Sequence, residues 1–244
     1  PKLIGARVSG YGQTGPKRSE PGYASVCEAF GGLRHLTGEP GVAPVRANLS
    51  LGDTLAGLHA ALGVLLALFH RERAGSGQQI DAAIYEAVFS VLESTLPEYD
   101  RLGVVRQASG ASITGVVPTG TYPCKDGKRV VIGANGEAVF GRLCHAIGRA
   151  DMASDPRMRG NAARVLVQAE IDDAIARWTA SCTADEALAA LQAATVPCSV
   201  IYDAADIHRD PHYAARGMFD VVDVDGPITM PADGPKLSDT PART

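Results

Sequence analysis

The feature that most constrains the fold is a long segment, from Thr54 to Arg73, that is apolar almost all round. A helix on a protein surface carries one apolar stripe, whereas a helix with apolar residues on every side is buried. The segment ends with His70 and Arg71, cations that suit the negative end of a helix dipole, and Gly75 follows as a stop signal. The sequence therefore predicts a long helix that is buried on most sides.

Shorter elements surround this helix. Leu3 to Ser9 is a β-branched run that predicts a strand, and a Gly-rich loop follows it. Residues 23–36 have helical character. Gln78 to Ala82 predicts a second strand, and Ala83 to Leu96 a second apolar helix that ends at Pro97. This mixture of strands and helices predicts an α/β fold.

The composition changes near the middle of the chain. Small polar residues between about Asp100 and Pro118 are typical of a linker, and a strand–turn–strand unit around Asp126-Gly127 follows them. Helices are predicted at about 137–148, 162–179 and 184–194, and then an extended arm with one short helix around 203–208. The predicted domains are a large domain at 1–98, a linker at 99–111, a small α+β domain at 112–200 and a return arm at 201–244.

Several classes of function lack their residues. The net charge is −4 with scattered basic residues, which argues against nucleic acid as a partner. Five cysteines without a CxxC pair argue against a disulfide framework or a zinc site and favour a reducing cytoplasm. No apolar run is expected to reach the roughly 18 residues of a membrane span, so no membrane contact is expected. HExxH and GxSxG are absent, and we expect no metal.

Asp53 is the first candidate for chemistry because it directly precedes the predicted helix. At the N-cap its carboxylate would accept backbone N–H bonds, and the positive end of the dipole would favour the ionised form. The neighbours Leu51, Gly52 and Leu55 suggest a partly desolvated setting with close backbone approach. The alternative is that Asp53 is only a structural cap.

The loop that follows the first strand is the second candidate. It contains Ser9, Gly10, Tyr11, Gly12 and Gln13 and continues to Gly15-Pro16. Loops that hold phosphates also follow strands, but this sequence is not a Walker A motif, and taken alone it is weak evidence for a phosphate site. A tight turn that lets two backbones approach explains the glycines equally well.

Taken in order, the motifs of the chain resemble the family III CoA-transferases, which include formyl-CoA transferase and the carnitine and bile-acid enzymes. The shared segments are ARVSGYGQTGP, PGY, LTGEP, PVR, LGDTLAGLHAALG, RERAGSGQQID, YEAVFSVLES, VPTGTYPCKDG, IGANGEAVFGRLCHAIGR, DPHYAARGM and PKLS. Their common order and spacing cover essentially the whole chain.

The resemblance implies that Asp53, in the GD step after Gly52, is the nucleophile. Its carboxylate would attack an acyl-CoA thioester and form a mixed anhydride and then an aspartyl-CoA thioester, from which CoA passes to an acceptor acid. CoA thioester is then a substrate, and no bound cofactor is expected. Oxyanion contacts are expected from the loop at 10–15 and from near Gly115. The implied fold is a partial Rossmann-like large domain plus a small α+β domain, in an interlocked homodimer.

The same fold hosts α-methylacyl-CoA racemases, whose second acid/base is a histidine after the PG step. Here Tyr23 stands at that position, and a phenol is a poor substitute at neutral pH. Ala24 replaces an acidic residue common in the family, and Thr114-Gly115-Val116-Val117 replaces the glycine-run loop of formyl-CoA transferase. Transferase activity is therefore favoured over racemase activity, with succinyl-CoA and dicarboxylic acids favoured over formyl and oxalyl substrates.

The resemblance also concerns the ends of the chain. Family members begin well before the position of Pro1 and continue beyond PKLS, so we expect the 244-residue chain alone to be inactive or badly compromised. A non-catalytic module that binds CoA esters or a partner chain is the rival hypothesis from another class.

Overall fold

The computed structural model describes residues 1–232 and 234–242. The chain divides into two compact units, one from Pro1 to Gly120 and one from Thr121 onward. Each unit is described by itself. The finer subdivision into 1–98, 99–111, 112–200 and 201–244 stays a prediction.

The first unit contains a pair of parallel strands with helices between and after them. β1 and β2 run in register from the pair Gly5↔Gln79 to the pair Ser9↔Ala83. Since parallel strands need a crossover connection, the helices between them form that crossover. The elements are β1 (Gly5–Ser9), α1 (Ala24–Phe30), α2 (Leu33–Leu36), α3 (Leu51–Ala74), β2 (Gln79–Ala83), α4 (Ile84–Phe89) and α5 (Thr95–Leu102).

Helix α3 has the predicted position but not the predicted burial. It packs against β1, β2, α1 and α4, yet only Gly52, Ala56 and Ala67 are buried. Leucines and a phenylalanine at helical spacing form an exposed apolar face that we call the outer face of α3. Its residues are Leu58, Leu62, Leu65, Leu66 and Phe69, each more than half exposed. The prediction of burial on most sides was wrong because these neighbouring elements cover only one side.

The prediction that no run is long enough for a membrane span was also wrong. In the described part of the chain, α3 has the length and the apolar composition of such a span. Length and composition are weak evidence for a membrane, because the core helix of a globular protein passes the same test.

The second apolar helix is shorter than predicted. Helix α4 ends at Phe89, and Glu93 adopts a left-handed backbone with φ 52°. Pro97 does not end this helix but lies in the first turn of α5. The first turn tolerates proline because the N–H groups there have no partner within the helix.

The second unit combines a three-stranded sheet with helices. Strand β4 lies between β3 and β5 and pairs antiparallel with β5 from Val130↔Val200 to Ile132↔Cys198. The elements are β3 (Thr119–Pro123), β4 (Arg129–Gly133), α6 (Glu137–Ala146), α7 (Ala150–Ser154), α8 (Asn161–Leu166), α9 (Gln168–Ser181), α10 (Ala184–Ala193) and β5 (Cys198–Val200). Val130 and Ile132 of β4 are fully buried, as are Ile171 and Ile175 of α9 and Leu191 of α10.

The predicted extended arm holds more regular structure than expected. Its predicted short helix is α11 (Ala204–Arg209), which Asp203 caps, and α12 (Pro211–Ala215) follows directly. A hairpin of β6 (Phe219–Asp223) and β7 (Pro227–Pro231) comes next. The prediction missed this hairpin because prolines at both ends of β7 weaken the signal for a strand.

Candidate active site

Asp53 lies in the first turn of α3, although not at its N-cap. The helix begins at Leu51, and the carbonyl of Ser50 accepts the N–H of Thr54 at 3.1 Å. Asp53 is therefore the third residue of the helix, and the prediction that it caps the helix was wrong. The expected desolvation was wrong as well, because Asp53 is exposed.

Gly52 is buried beneath this carboxylate and is closely surrounded. A methyl group added to Gly52 would lie 3.0 Å from Ile84 Cγ2, 3.3 Å from Glu28 Cγ and 3.5 Å from Ala24 Cα. Its backbone N–H donates to Glu28 Oε1 at 3.1 Å. The prediction of close backbone approach at the GD step is confirmed.

The loop after β1 is held by side chains of its own strand and of β2. Ser9 Oγ accepts the Gly12 N–H at 3.0 Å, and Asp81 accepts the backbone N–H of Gln13 at 2.8 Å. The side-chain amide of Gln13 also donates to Ser9 Oγ, at 3.3 Å. Gly12 has φ 87°, a left-handed backbone that favours glycine. These contacts fix the loop and occupy the backbone N–H groups of Gly12 and Gln13, which are therefore not free to cradle a phosphate.

Gly10 brings this loop against the start of α1. A methyl group at Gly10 would lie only 2.8 Å from Gly22 Cα, so two backbones touch here. Cys27 Sγ lies 3.4 Å from the carbonyl oxygen of Gly10 and donates to it. Burial, followed by the charges of Asp53 and Glu28, raises the pKa of the Cys27 thiol.

Tyr11 links the loop to an aromatic cavity. It packs against the buried cluster of Cys27, Ala56, Ile84 and Ala87, and its ring centroid lies 5.3 Å from that of Phe30. A cavity of ≈ 280 Å³ opens beside these rings, and Lys17 Nζ lies within 5.5 Å of the Tyr11 centroid. The residues that line it are Tyr11, Thr14, Gly15, Pro16, Lys17, Phe30 and Tyr85.

The two remaining candidates lie on exposed turns. Tyr23 precedes α1 and is 81% exposed, so its phenol is open to solvent. Gly115 lies in the turn between the bridged residues Ile113 and Val116, with φ 80°. The loop and the GD step thus both contact the buried cluster around Cys27, the loop through Gly10 and Tyr11 and the GD step through Gly52 and Ile84. The roles of Tyr23 and Gly115 stay predictions.

Sequence reasoning missed Glu28, a buried carboxylate that contacts the GD step. The signal was present, since Glu28 is the one charged residue of the segment ASVCEAF that forms α1. A charged side chain in an apolar helix is buried only when it has partners of opposite charge. Arg34 and Arg46, which follow in the sequence, are those partners for Glu28.

The chemical capacity of the site is that of an exposed carboxylate in the first turn of α3, next to the closely packed Gly52. Carboxylates act as nucleophiles towards activated acyl groups. The whole chain, residues 1–244, matches the CoA-transferase family III. The chain belongs to this family. The resemblance noted in the sequence is thereby confirmed.

Other family III CoA-transferases show how far the similarity extends. A succinyl-CoA–D-citramalate CoA-transferase of Chloroflexus aurantiacus is 45% identical over 99% of this chain and 60% of its own length. The alpha subunit of a succinyl-CoA–L-malate CoA-transferase of the same organism is 40% identical over 100% of this chain and 58% of its own. A crystal structure of a CaiB/BaiF family protein from Brucella suis superposes with a TM-score of 0.81 at 30% identity, over 99% of this chain and 63% of that one. The predicted α/β fold class is confirmed, and the chain spans about 60% of the length of these relatives.

Proposed function

We propose that the protein transfers coenzyme A from an acyl-CoA thioester to a carboxylic acid, with Asp53 as the nucleophile. The observation that carries this proposal is the position of Asp53, exposed in the first turn of α3, on a GD step that packing holds in place. Family III membership over the whole chain supports the same reaction.

The proposed reaction begins when a carboxylate oxygen of Asp53 attacks the thioester carbonyl. The C–S bond breaks, the CoA thiolate leaves, and a mixed anhydride remains on Asp53. The thiolate then attacks the aspartyl carbonyl, which releases the donor acid and forms an aspartyl-CoA thioester. An acceptor carboxylate attacks this thioester, and the thiolate returns to the acceptor's acyl carbon, which frees Asp53. Each step exchanges one acyl bond, so no cofactor and no redox partner is needed.

A carboxylate is a weak nucleophile, so its orientation has to be supplied by the fold. The helix turn supplies it, since α3 is anchored at Gly52 and packed against α1 and α4. The anhydride must also be shielded from water. Asp53 is exposed in this chain, so we propose that bound substrate and further protein surface provide the shield.

We further propose that the acids are small dicarboxylates. Relatives at 45% and 40% identity are named for succinyl-CoA with citramalate or malate. The cavity beside Tyr11 is lined by Lys17, whose ammonium group also pairs with Glu20 at 2.7 Å, and we propose that the second carboxylate of such a substrate shares this cation.

The proposed partner is a second copy of the chain, as the resemblance implies. The outer face of α3 supports an interface, because its five large apolar side chains are each more than half exposed, and clustered exposed apolar residues mark binding surfaces. Some relatives are named as alpha or beta subunits, which makes a related chain the alternative partner. Sedimentation velocity of the purified protein, alone and with added acyl-CoA, distinguishes these assemblies. The predicted cytoplasmic location and the predicted interlocked arrangement stay predictions.

The experiment pairs succinyl-CoA, formyl-CoA and oxalyl-CoA as donors with malate, citramalate and glutarate as acceptors, and detects new CoA esters by mass spectrometry. We expect exchange with succinyl-CoA, and its loss in Asp53→Asn. Asp185→Asn is the matched control, because Asp185 is also in the first turn of a helix. Retained turnover in Asp53→Asn contradicts the proposal. Deuterium uptake from D2O into a 2-methylacyl-CoA would instead indicate a racemase. Thermal stabilisation of the protein by CoA, without exchange of CoA between acids, would indicate a binding module.

A further inference from the structure

Glu28 is one of three polar or charged residues that the described part of the chain buries. It lies on α1 with 2% of its surface exposed. A buried carboxylate is costly unless its charge is paired and its oxygens are hydrogen-bonded, so its contacts indicate why it is there.

Both oxygens of Glu28 have partners. Oε1 accepts the Gly52 N–H at 3.1 Å, and Oε2 accepts Arg46 Nε–H at 3.2 Å. Arg34 Nε lies 3.9 Å from Oε2 and is buried without a hydrogen-bond partner among the described residues. Two guanidinium groups therefore compensate one carboxylate, and Oε1 remains directed at the start of α3.

The Gly52 N–H belongs to the first turn of α3, where backbone N–H groups have no partner within the helix. The usual partner is the side chain of the N-cap residue, but Ser50 makes no such bond here. Glu28 therefore supplies from α1 the cap that α3 lacks. Asp53 is the next residue along the chain, so the contact fixes the backbone from which its carboxylate projects.

We infer that Glu28, held by Arg46 and Arg34, is a positioning residue that sets the orientation of Asp53 for attack on the thioester. This inference rests on the proposed role of Asp53. Misplacement of a reacting group by about 1 Å costs up to roughly 100-fold in rate. A loss of this contact is therefore expected to appear in kcat rather than in substrate binding.

The test compares Glu28→Ala and Glu28→Gln in the full-length gene product, with Glu98→Ala as the matched control. Glu98 is also a carboxylate paired with an arginine, Arg106, but it lies on α5. We expect Glu28→Ala to lower kcat roughly 10- to 100-fold while KM for the acyl-CoA changes little. Glu28→Gln keeps an oxygen for Gly52 but turns its amide N–H groups towards Arg46, so it should restore part of kcat. Glu98→Ala should keep the wild-type kcat.

A purely structural role predicts a different result: Glu28→Ala melts at a lower temperature, but its folded fraction turns over at the wild-type kcat. That outcome overturns the inference. If Glu28→Ala does not fold, Arg46→Met serves instead, because without Arg46 the Glu28 carboxylate is no longer held at Oε2 and its contact with the Gly52 N–H is loosened. A lower kcat in Arg46→Met supports the inference, and an unchanged kcat overturns it. Asp53→Asn separates the failure of the two proposals. If Asp53→Asn still transfers CoA, the proposed function fails. If Asp53→Asn is inactive but Glu28→Ala has the wild-type kcat, only the positioning role is refuted.

Discussion

Two glycines of α3 offer a direct test of the packing at the GD step. Gly52→Ala and Gly57→Ala each add one methyl group to the same helix, and alanine is favoured over glycine in a helix by about 0.5–1 kcal/mol. At Gly57 the methyl group meets nothing within 4 Å, whereas at Gly52 it meets Ile84 Cγ2 at 3.0 Å and Glu28 Cγ at 3.3 Å.

The propensity gain is common to both variants and cancels in their difference. What remains is the cost of overpacking at Gly52, about 1–3 kcal/mol. We therefore expect Gly57→Ala to be slightly more stable than wild type, and Gly52→Ala to be less stable than Gly57→Ala by that amount. For a chain of this size, each kcal/mol corresponds to roughly 2–4 °C in the unfolding midpoint.

Urea unfolding followed by circular dichroism gives both free energies on the same footing, and thermal melts give an independent ranking. Equal stability of the two variants would falsify the packing described at Gly52. A loss of stability in Gly57→Ala, in place of the small gain, would contradict the open space around Gly57 in the described structure.

Three further predictions concern the second unit. Arg164→Met should lower stability by about 2–4 kcal/mol in urea unfolding, because buried Arg164 donates to backbone carbonyls that would lose their partner and packs on the Phe140 ring. Hydrogen bonding to Arg164 lowers the pKa of Glu137, so this pair stabilises the fold above the ordinary carboxyl range and stops doing so as the pH falls through the folded-state pKa. In a profile of stability against pH measured between pH 3 and pH 6, Glu137→Gln should therefore lose less stability on acidification than the wild type. An unchanged acid dependence would argue against the pair. Burial raises the pKa of the Cys144 thiol to about 11, so iodoacetamide at pH 8 should modify half-buried Cys182 well before Cys144. Peptide mass spectrometry gives the order of modification, and the reverse order would contradict the burial of Cys144.

The sequence predicted the elements of the fold better than their surroundings. The apolar run and Gly75 located α3 and its end, since helix periodicity and stop signals are local properties. What covers the helix is a tertiary property, and the apolar pattern alone did not reveal that Leu58 and Phe69 lie on an exposed face. The start of α3 was misplaced because the Ser50 carbonyl begins the hydrogen-bonded ladder before Asp53.

The candidate site follows the same division. Asp53 and the glycines of the loop were found from residue type and position, because their constraints are local. Glu28 was missed because its significance comes from a contact 24 residues away in sequence, with Gly52. The approach of Gly10 to Gly22 likewise depends on how α1 meets the loop, which no local pattern encodes.

The most direct measurement is the identity of the residue that carries the acyl or CoA group during turnover. Protein incubated with succinyl-CoA and quenched with hydroxylamine should yield a peptide containing Asp53 with the mass of a hydroxamate, and Asp53→Asn should yield none. A hydroxamate on any other carboxylate, or turnover without an adduct at Asp53, would contradict the account.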